Sequence, residues 1–317
     1  MIFGIFAGIT WALETVFLGI ALGIMAPEGS REQIVFLAPF ISTFLHDFCS
    51  AVWATIFNTA RGNFKNVIHA FAKTKSGKFV SLAAIIGGPV GMTGYVLAIN
   101  NLGSAVGAVA SAVFPAIGSA LAFFFLKEKM QWYRWIFLSF TMLGVYGLSG
   151  SEEIVVNNFA LGIIGALMCA FGWGIEAVIL AKCFKDPAVK NEYALQIRQF
   201  TSALIYGAIL LPLLKGWGVT IELLTSGKSR LIPALAAAAL FATVSYLCYY
   251  KAISKIGASK AMALDITYAA WAVFFTIIIL KDYSLINART ILCTLVVIVC
   301  GILAATDFKE LLAKKNK

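Results

Sequence analysis

Long apolar runs, broken by short polar and charged segments, set the pattern of this chain. The runs cover approximately residues 2–25, 34–60, 79–99, 104–126, 133–150, 159–182, 191–214, 231–250, 258–280 and 288–306. A helix needs roughly 20 predominantly apolar residues to cross a hydrocarbon layer about 30 Å thick. The pattern therefore predicts ten transmembrane helices. A transmembrane barrel would alternate apolar and polar positions over segments of about ten residues, whereas these runs are continuous. The breaks carry turn formers and charges, as in Pro27-Glu-Gly-Ser-Arg31 and Ser151-Glu-Glu.

Composition agrees. Of 317 residues, 61% are hydrophobic and 13% charged, against about 45–50% and 25% in soluble domains. The mean hydropathy is +0.89. This is an all-α, multi-pass membrane protein, expected in the cytoplasmic (plasma) membrane. A net charge of +10 would suggest a nucleic-acid partner in a soluble protein. Here positive charge marks cytoplasmic loops instead, and no basic patch is interleaved with aromatics as single strands require. With both termini cytoplasmic, eighteen of the 25 Lys and Arg residues fall inside, six outside, and Arg198 within a span. Residues 307–317 then form a basic cytoplasmic tail. The first run begins at Ile2 without a positive leader, so no cleavable signal peptide is expected. Cys49, Cys169, Cys183, Cys248, Cys293 and Cys300 lie in or at the edge of apolar runs with no C-x-x-C spacing. They read as packing residues, and neither metal nor cofactor is expected.

The chain repeats internally. Ala98-Ile-Asn-Asn-Leu-Gly103 matches Ala252-Ile-Ser-Lys-Ile-Gly257, and Leu126-Lys-Glu128 matches Leu280-Lys-Asp282, both at an offset of 154. Trp11-Ala-Leu-Glu14-Thr-Val16 and Trp173-Gly-Ile-Glu176-Ala-Val178 match at 162, and His46-Asp-Phe-Cys-Ser-Ala51 matches Arg198-Gln-Phe-Thr-Ser-Ala203 loosely. The expected architecture is two five-helix repeats, residues 1–150 and 159–306. Five is odd, so the second copy enters the membrane inverted. Inverted repeats of this kind build many secondary transporters, with the solute site near the midplane between the halves.

The ten-span layout, the Ala-Ile-x-x-Leu/Ile-Gly junctions and the Leu-Lys-Glu/Asp endings resemble the drug/metabolite transporter superfamily, EamA type. The resemblance covers nearly the whole chain and occurs twice. It implies a transporter of small solutes whose first, fourth, sixth and ninth spans line a central cavity. The superfamily moves amino acids, nucleotides, sugars, drugs and quaternary amines in either direction. Within it, bacterial Lic-type choline permeases are the nearest functional analogue suggested by the aromatic and acidic residues.

Those residues carry the functional reading. A carboxylate in hydrocarbon costs roughly 2.5–3.5 kcal/mol on insertion scales and usually faces a cavity or a partner. Positions i and i+3 share a helix face, so Trp11 sits beside Glu14 and Trp173 beside Glu176. An indole face next to an acid suits a cation. A span tryptophan also serves as an interface anchor, and a protonated Glu as a packing donor; occurrence at repeat-equivalent positions favours the cavity. Asp265, Tyr268 and Trp271 follow an i, i+3, i+6 spacing in the ninth span. In the eighth, Tyr246, Tyr249 and Tyr250 are packing or cavity residues, with Tyr249 matching Tyr95. Asp265 reads as a substrate contact or proton site. In spans two and seven, an Asp47–Arg198 ion pair would be a structural lock, a gate or part of a solute site. His46 would relay a proton or simply be hydrogen-bonded. The Gly87-Gly88-Pro89 turn would bend or thin span three, and Pro115 would break the ladder of span four.

Together these residues predict a carrier for a small organic cation, such as choline or another quaternary or amine compound, driven by a proton or other gradient. Trp11, Trp173, Tyr249, Tyr268 and Trp271 form the aromatic cage. Glu14, Glu176 and Asp265 supply charge, and His46, Asp47 and Arg198 couple or gate. Burial disfavours a charged carboxylate and a bound cation favours it, so one acid can hold proton and solute in turn. The alternative is an exporter of amino acids or similar metabolites, in which Arg198 holds a carboxylate. A nontransporting scaffold has no need of repeat-related polar clusters. Enzyme readings are poor: Gly147-Leu-Ser149-Gly150 resembles a rhomboid serine motif, but neither His46 nor His69 is placed to serve Ser149. One chain supplies both halves, so a monomer suffices, and a homodimer is the other option.

Overall fold

The computed structural model describes residues 1–27, 29–149 and 157–308. The Ser151-Glu-Glu loop and residues 309–317 of the expected basic tail lie outside the described residues. The helices are α1 (Ile2–Met25), α2 (Glu32–Ala60), α3 (Phe64–Lys73), α4 (Lys75–Leu102), α5 (Ser104–Leu126), α6 (Trp132–Leu148), α7 (Phe159–Cys183), α8 (Asn191–Leu213), α9 (Trp217–Thr225), α10 (Leu231–Ile256), α11 (Ala258–Leu280) and α12 (Ala288–Ala305). No strand occurs among the described residues. Among the described residues, nine helices are long and apolar enough to span a membrane. The remaining predicted span, 133–150, corresponds to α6, a helix of 17 residues.

Two boundaries moved for one reason. The expected spans 79–99 and 231–250 are each bounded by a lysine, Lys78 and Lys251, but charge does not end a helix. Helix α10 continues past Lys251 and Lys255 to Ile256, where Gly257 stops it. Helix α4 likewise begins at Lys75, capped by the Thr74 hydroxyl, which accepts from the Gly77 N–H at 2.8 Å. The short helices α3 and α9 were not anticipated. Helix α3 is amphipathic, and its apolar side is only partly covered: Val67 and Ala70 are buried, while Phe64, Ile68 and Phe71 are exposed.

Both Ala-Ile-x-x-x-Gly junctions turn in the same way. Gly103 has φ 88° and ψ 167°, and Gly257 has φ 87° and ψ 163°, a region essentially restricted to glycine. One residue thus joins α4 to α5, and one joins α10 to α11. At the far ends of α5 and α11, Lys127 and Lys281 both adopt the left-handed conformation, with φ 58° and 57°. Helix contacts exchange in the same fashion: α1 packs on α10 and α11 as α7 packs on α4 and α5, while α2 meets α8 and α6 meets α12.

Small residues permit the close crossings. A Cβ on Gly118 of α5 would lie 3.2 Å from the Gly174 Cα of α7, and one on Gly165 would lie 2.6 Å from the Gly94 carbonyl oxygen of α4. Such glycine-lined approaches are how helices pack where lipid supplies no hydrophobic drive.

Helix interruptions fall partly elsewhere than expected. Helix α5 runs unbroken through Pro115. Ala112, Ser119 and Ala122 are fully buried on either side, and the proline removes one ladder bond without ending the helix. Helix α11 breaks instead at Ile266–Thr267. There the Thr267 hydroxyl donates to the Leu264 carbonyl at 2.7 Å, a side-chain bond that competes with the backbone ladder. At Gly87-Gly88-Pro89, expected to bend or thin the helix, residues Ile86–Val90 form a π-helical segment, which is wider than an α-turn.

Candidate functional site

Wide π turns place backbone and glycine where side chains would otherwise stand. A Cβ on Gly87 would lie 1.7 Å from Glu176 Oε2, and one on Gly91 would lie 3.0 Å from the Trp173 indole. The Trp173 Nε1–H donates to the Gly87 carbonyl at 2.9 Å. The glycine pair therefore receives the whole Trp173–Glu176 face of α7. On the other side of the centre, Ser245 of α10 donates to the Ala7 carbonyl of α1 at 2.8 Å, and Trp11 meets Tyr246 edge-on at 5.1 Å.

A chain of buried charges crosses the centre. His46 Nε2 lies 3.5 Å from Glu14 Oε1, an ion-pair distance rather than a hydrogen bond, and His46 Nδ1 lies 3.0 Å from Asp47 Oδ1. Arg198 Nη1 is 3.5 Å from Asp47 Oδ2, and Arg198 Nε donates to Glu176 Oε1 at 3.1 Å. Arg198 Nη1 also donates to Gln199 Oε1 at 2.7 Å. Its guanidinium stands 4.7 Å above the Tyr246 ring, so one aromatic face of the site already holds a cation.

The serines of the loosely matched segments complete this chain reciprocally. Ser202 donates to Asp47 Oδ2 at 2.6 Å, and Gln199 Nε2 donates to Ser50 Oγ at 2.8 Å. Asp47 and Gln199 are repeat equivalents, as are Ser50 and Ser202. Each half thus secures the polar residue of the other; a hydroxyl can donate to the carboxylate on one side and accept from the amide on the other. Ser50 further bonds Thr243 at 2.8 Å.

Two adjoining cavities share Trp11, Trp173 and Tyr246. One, of about 70 Å³, is lined by Glu14, His46, Asp47, Gly87, Gly88 and Arg198. The other, of about 60 Å³, is lined by Phe114, Glu176, Ser245, Tyr249, Asp265 and Tyr268. In the second, Phe114 meets Trp173 edge-on at 5.8 Å, and Tyr268 faces Trp11 at 6.5 Å. Asp265 differs from the other central acids. Glu176 and Asp47 share Arg198 and Glu14 faces His46, whereas Asp265 Oδ1 is buried with no hydrogen-bond partner among the described residues.

The structure therefore gathers Trp11, Trp173, Glu176, Tyr249, Asp265 and Tyr268 around one cavity. It places Glu14 with His46, Asp47 and Arg198 in the neighbouring one. Trp271 joins neither and packs edge-on against Phe274 at 6.5 Å. The break at Ile266–Thr267 falls between Asp265 and Trp271. Sequence reasoning missed Phe114, Ser50, Ser202, Thr243 and Ser245. Ser50 and Ser202 had a signal in the repeat match, but Phe114 is one apolar residue among many.

Comparison with known proteins agrees with this layout. The EamA-like transporter family model matches residues 1–150 and again 160–306. The curated Protein LicB of Haemophilus influenzae is 27% identical over 313 residues, covering 97% of each chain. A crystal structure of a protein superposes over 100% of this chain and 98% of its own, with a TM-score of 0.69 and 16% identity. The chain belongs to the EamA-like transporter family and is a multi-pass membrane transporter.

Proposed function

We propose that this transporter carries a small organic cation, choline or a related quaternary or amine compound, across the cytoplasmic membrane by alternating access. The observation that carries the reading is the aromatic-walled cavity in which Asp265 Oδ1 has no partner. Tryptophan and tyrosine faces attract a cation through their ring quadrupoles, most strongly when it is desolvated. A buried carboxylate without a counter-charge is costly, and a bound cation would supply the missing charge. At about 60 Å³ the cavity is tight, so the cage must open on one side to admit solute.

The charge chain from Glu14 to Glu176 is the proposed coupling element. His46 bridges Glu14 and Asp47 and can carry a proton between them, while Arg198 ties Asp47 to the Glu176 wall of the cation cavity. A proton taken up at one end of this chain would alter the charge that the cavity wall presents at the other. Ten spans as two inverted five-helix repeats, with both termini cytoplasmic, complete the proposal. Support comes from the paired glycine junctions, the exchanged helix contacts and the reciprocal serine bonds. The amino-acid exporter reading needs Arg198 free to hold a carboxylate, yet Glu176, Gln199 and Asp47 already engage it.

The test is a thermal-shift screen of the purified protein against choline, betaine, spermidine, amino acids and nucleosides, on wild type and Asp265→Asn. A ligand that binds only the folded state stabilises it, by about 2.7 kcal/mol at a hundred times its Kd. The expected result is a choline-type shift in wild type that Asp265→Asn abolishes. A shift with amino acids alone, unchanged in the variant, would refute the cation reading.

A further inference from the structure

A further cavity lies outside the centre, on the face of α7 away from Glu176. It is a groove of about 900 Å³ between α4, α5 and α7, far larger than either central cavity. Its walls are Phe79 of α4, Leu121 and Phe125 of α5, and Phe171, Ile175 and Ile179 of α7. Phe79, Phe125 and Phe171 are 53%, 73% and 44% exposed, so the groove is open along its apolar length rather than covered by protein.

One end of the groove is charged. Lys75 at the start of α4, Lys182 in the last turn of α7 and Lys185 just beyond it stand at the mouth. Asp186 is the one carboxylate among the lining residues. It is already committed, accepting from the Ala188 N–H at 3.0 Å and from the Ser76 hydroxyl. These bonds hold its carboxyl below the usual carboxylate range, so it stays charged and the mouth keeps two positive charges in excess.

The groove's dimensions bear on what it could hold. From Lys182 to Phe171 is eleven helical residues, about 16 Å at 1.5 Å per residue. That is close to half of a hydrocarbon core about 30 Å thick, the depth of one leaflet. A groove with a cationic mouth at one membrane surface and an apolar floor to the midplane matches the shape and charge of a lipid. Basic pockets between transmembrane helices hold anionic headgroups for this reason.

We propose that this groove is a binding site for a single anionic phospholipid. Its phosphate lies among Lys75, Lys182 and Lys185, and an acyl chain runs between Phe79, Phe125 and Phe171. The lipid backs the helix whose opposite face carries Trp173 and Glu176. The site is independent of the transported solute.

Native mass spectrometry of the detergent-purified protein tests this. Phosphatidylglycerol and phosphatidylcholine are added separately to wild type, to a Lys75→Gln/Lys182→Gln/Lys185→Gln variant, and to a charge-matched Lys215→Gln/Lys251→Gln/Lys281→Gln control. All six lysines lie at the surface, so both variants should fold. Each lysine near a headgroup contributes a factor of about five in affinity. Phosphatidylglycerol retention should therefore fall at least ~10-fold in the groove variant, with phosphatidylcholine unaffected and the control close to wild type. An equal loss in the control, or no loss in the groove variant, would overturn the site. Equal binding of glycerophosphoglycerol, the headgroup without acyl chains, would also overturn it.

Discussion

Arg198 gives the sharpest test of the central charge chain. Replacing it by Met keeps an unbranched side chain out to the ε position and removes the guanidinium with all of its donors. The loss includes the 3.1 Å bond to Glu176, the 2.7 Å bond to Gln199, the 3.5 Å pairing with Asp47 and the stack on Tyr246. Two buried carboxylates then lack their shared counter-charge. Breaking a buried pair by removing one partner costs about 3–5 kcal/mol, chiefly because the remaining charge is uncompensated. At roughly 2 °C per kcal/mol for a chain above 200 residues, the melting point of purified Arg198→Met should fall by ~6–10 °C. The physical cause predicts a rescue. Adding Glu176→Gln removes one stranded charge, so the double variant should melt higher than Arg198→Met alone, with a coupling of about 0.5–3 kcal/mol. A single variant within 2 °C of wild type, or a double variant whose losses simply add, would refute the argument that Arg198 neutralises both acids.

Two further outcomes follow from close contacts. Gly87→Ala puts a methyl 1.7 Å from Glu176 Oε2; overpacking of this kind costs about 1–3 kcal/mol, and uptake assays should show lost transport even where the protein is recovered folded. Glu128 accepts from the backbone N–H groups of Ala258 and Ser259 at 2.9 and 3.0 Å and from the Ser259 hydroxyl at 2.8 Å, capping α11 from the end of α5. Glu128→Ala should cost about 1–2 kcal/mol of stability, read as a lowered melting point, with Glu128→Gln recovering only part of it because an amide caps more weakly than a charged acceptor.

The class of this protein is legible in its apolar pattern. Continuous apolar runs admit only membrane helices, because every backbone polar group must be satisfied within the segment. The 154-residue match located the two glycine junctions, and the structure gives both the same backbone dihedrals. The paired Trp-x-x-Glu segments, His46, Asp47 and Arg198 were recognisable because polar residues are conspicuous against hydrocarbon.

Tertiary structure decided how those residues divide. Glu14 and Glu176 look alike in sequence, yet one faces His46 and the other Arg198. That difference arises because α2 and α8 bring unlike residues, His and Arg, to equivalent places. The break in α11 was invisible to a proline-based reading, since it depends on a threonine hydroxyl reaching back to Leu264. Trp271, expected beside the same cavity, packs on Phe274 instead. The lipid-facing groove has no local signature, because its lysines and phenylalanines come from three helices that only packing brings together.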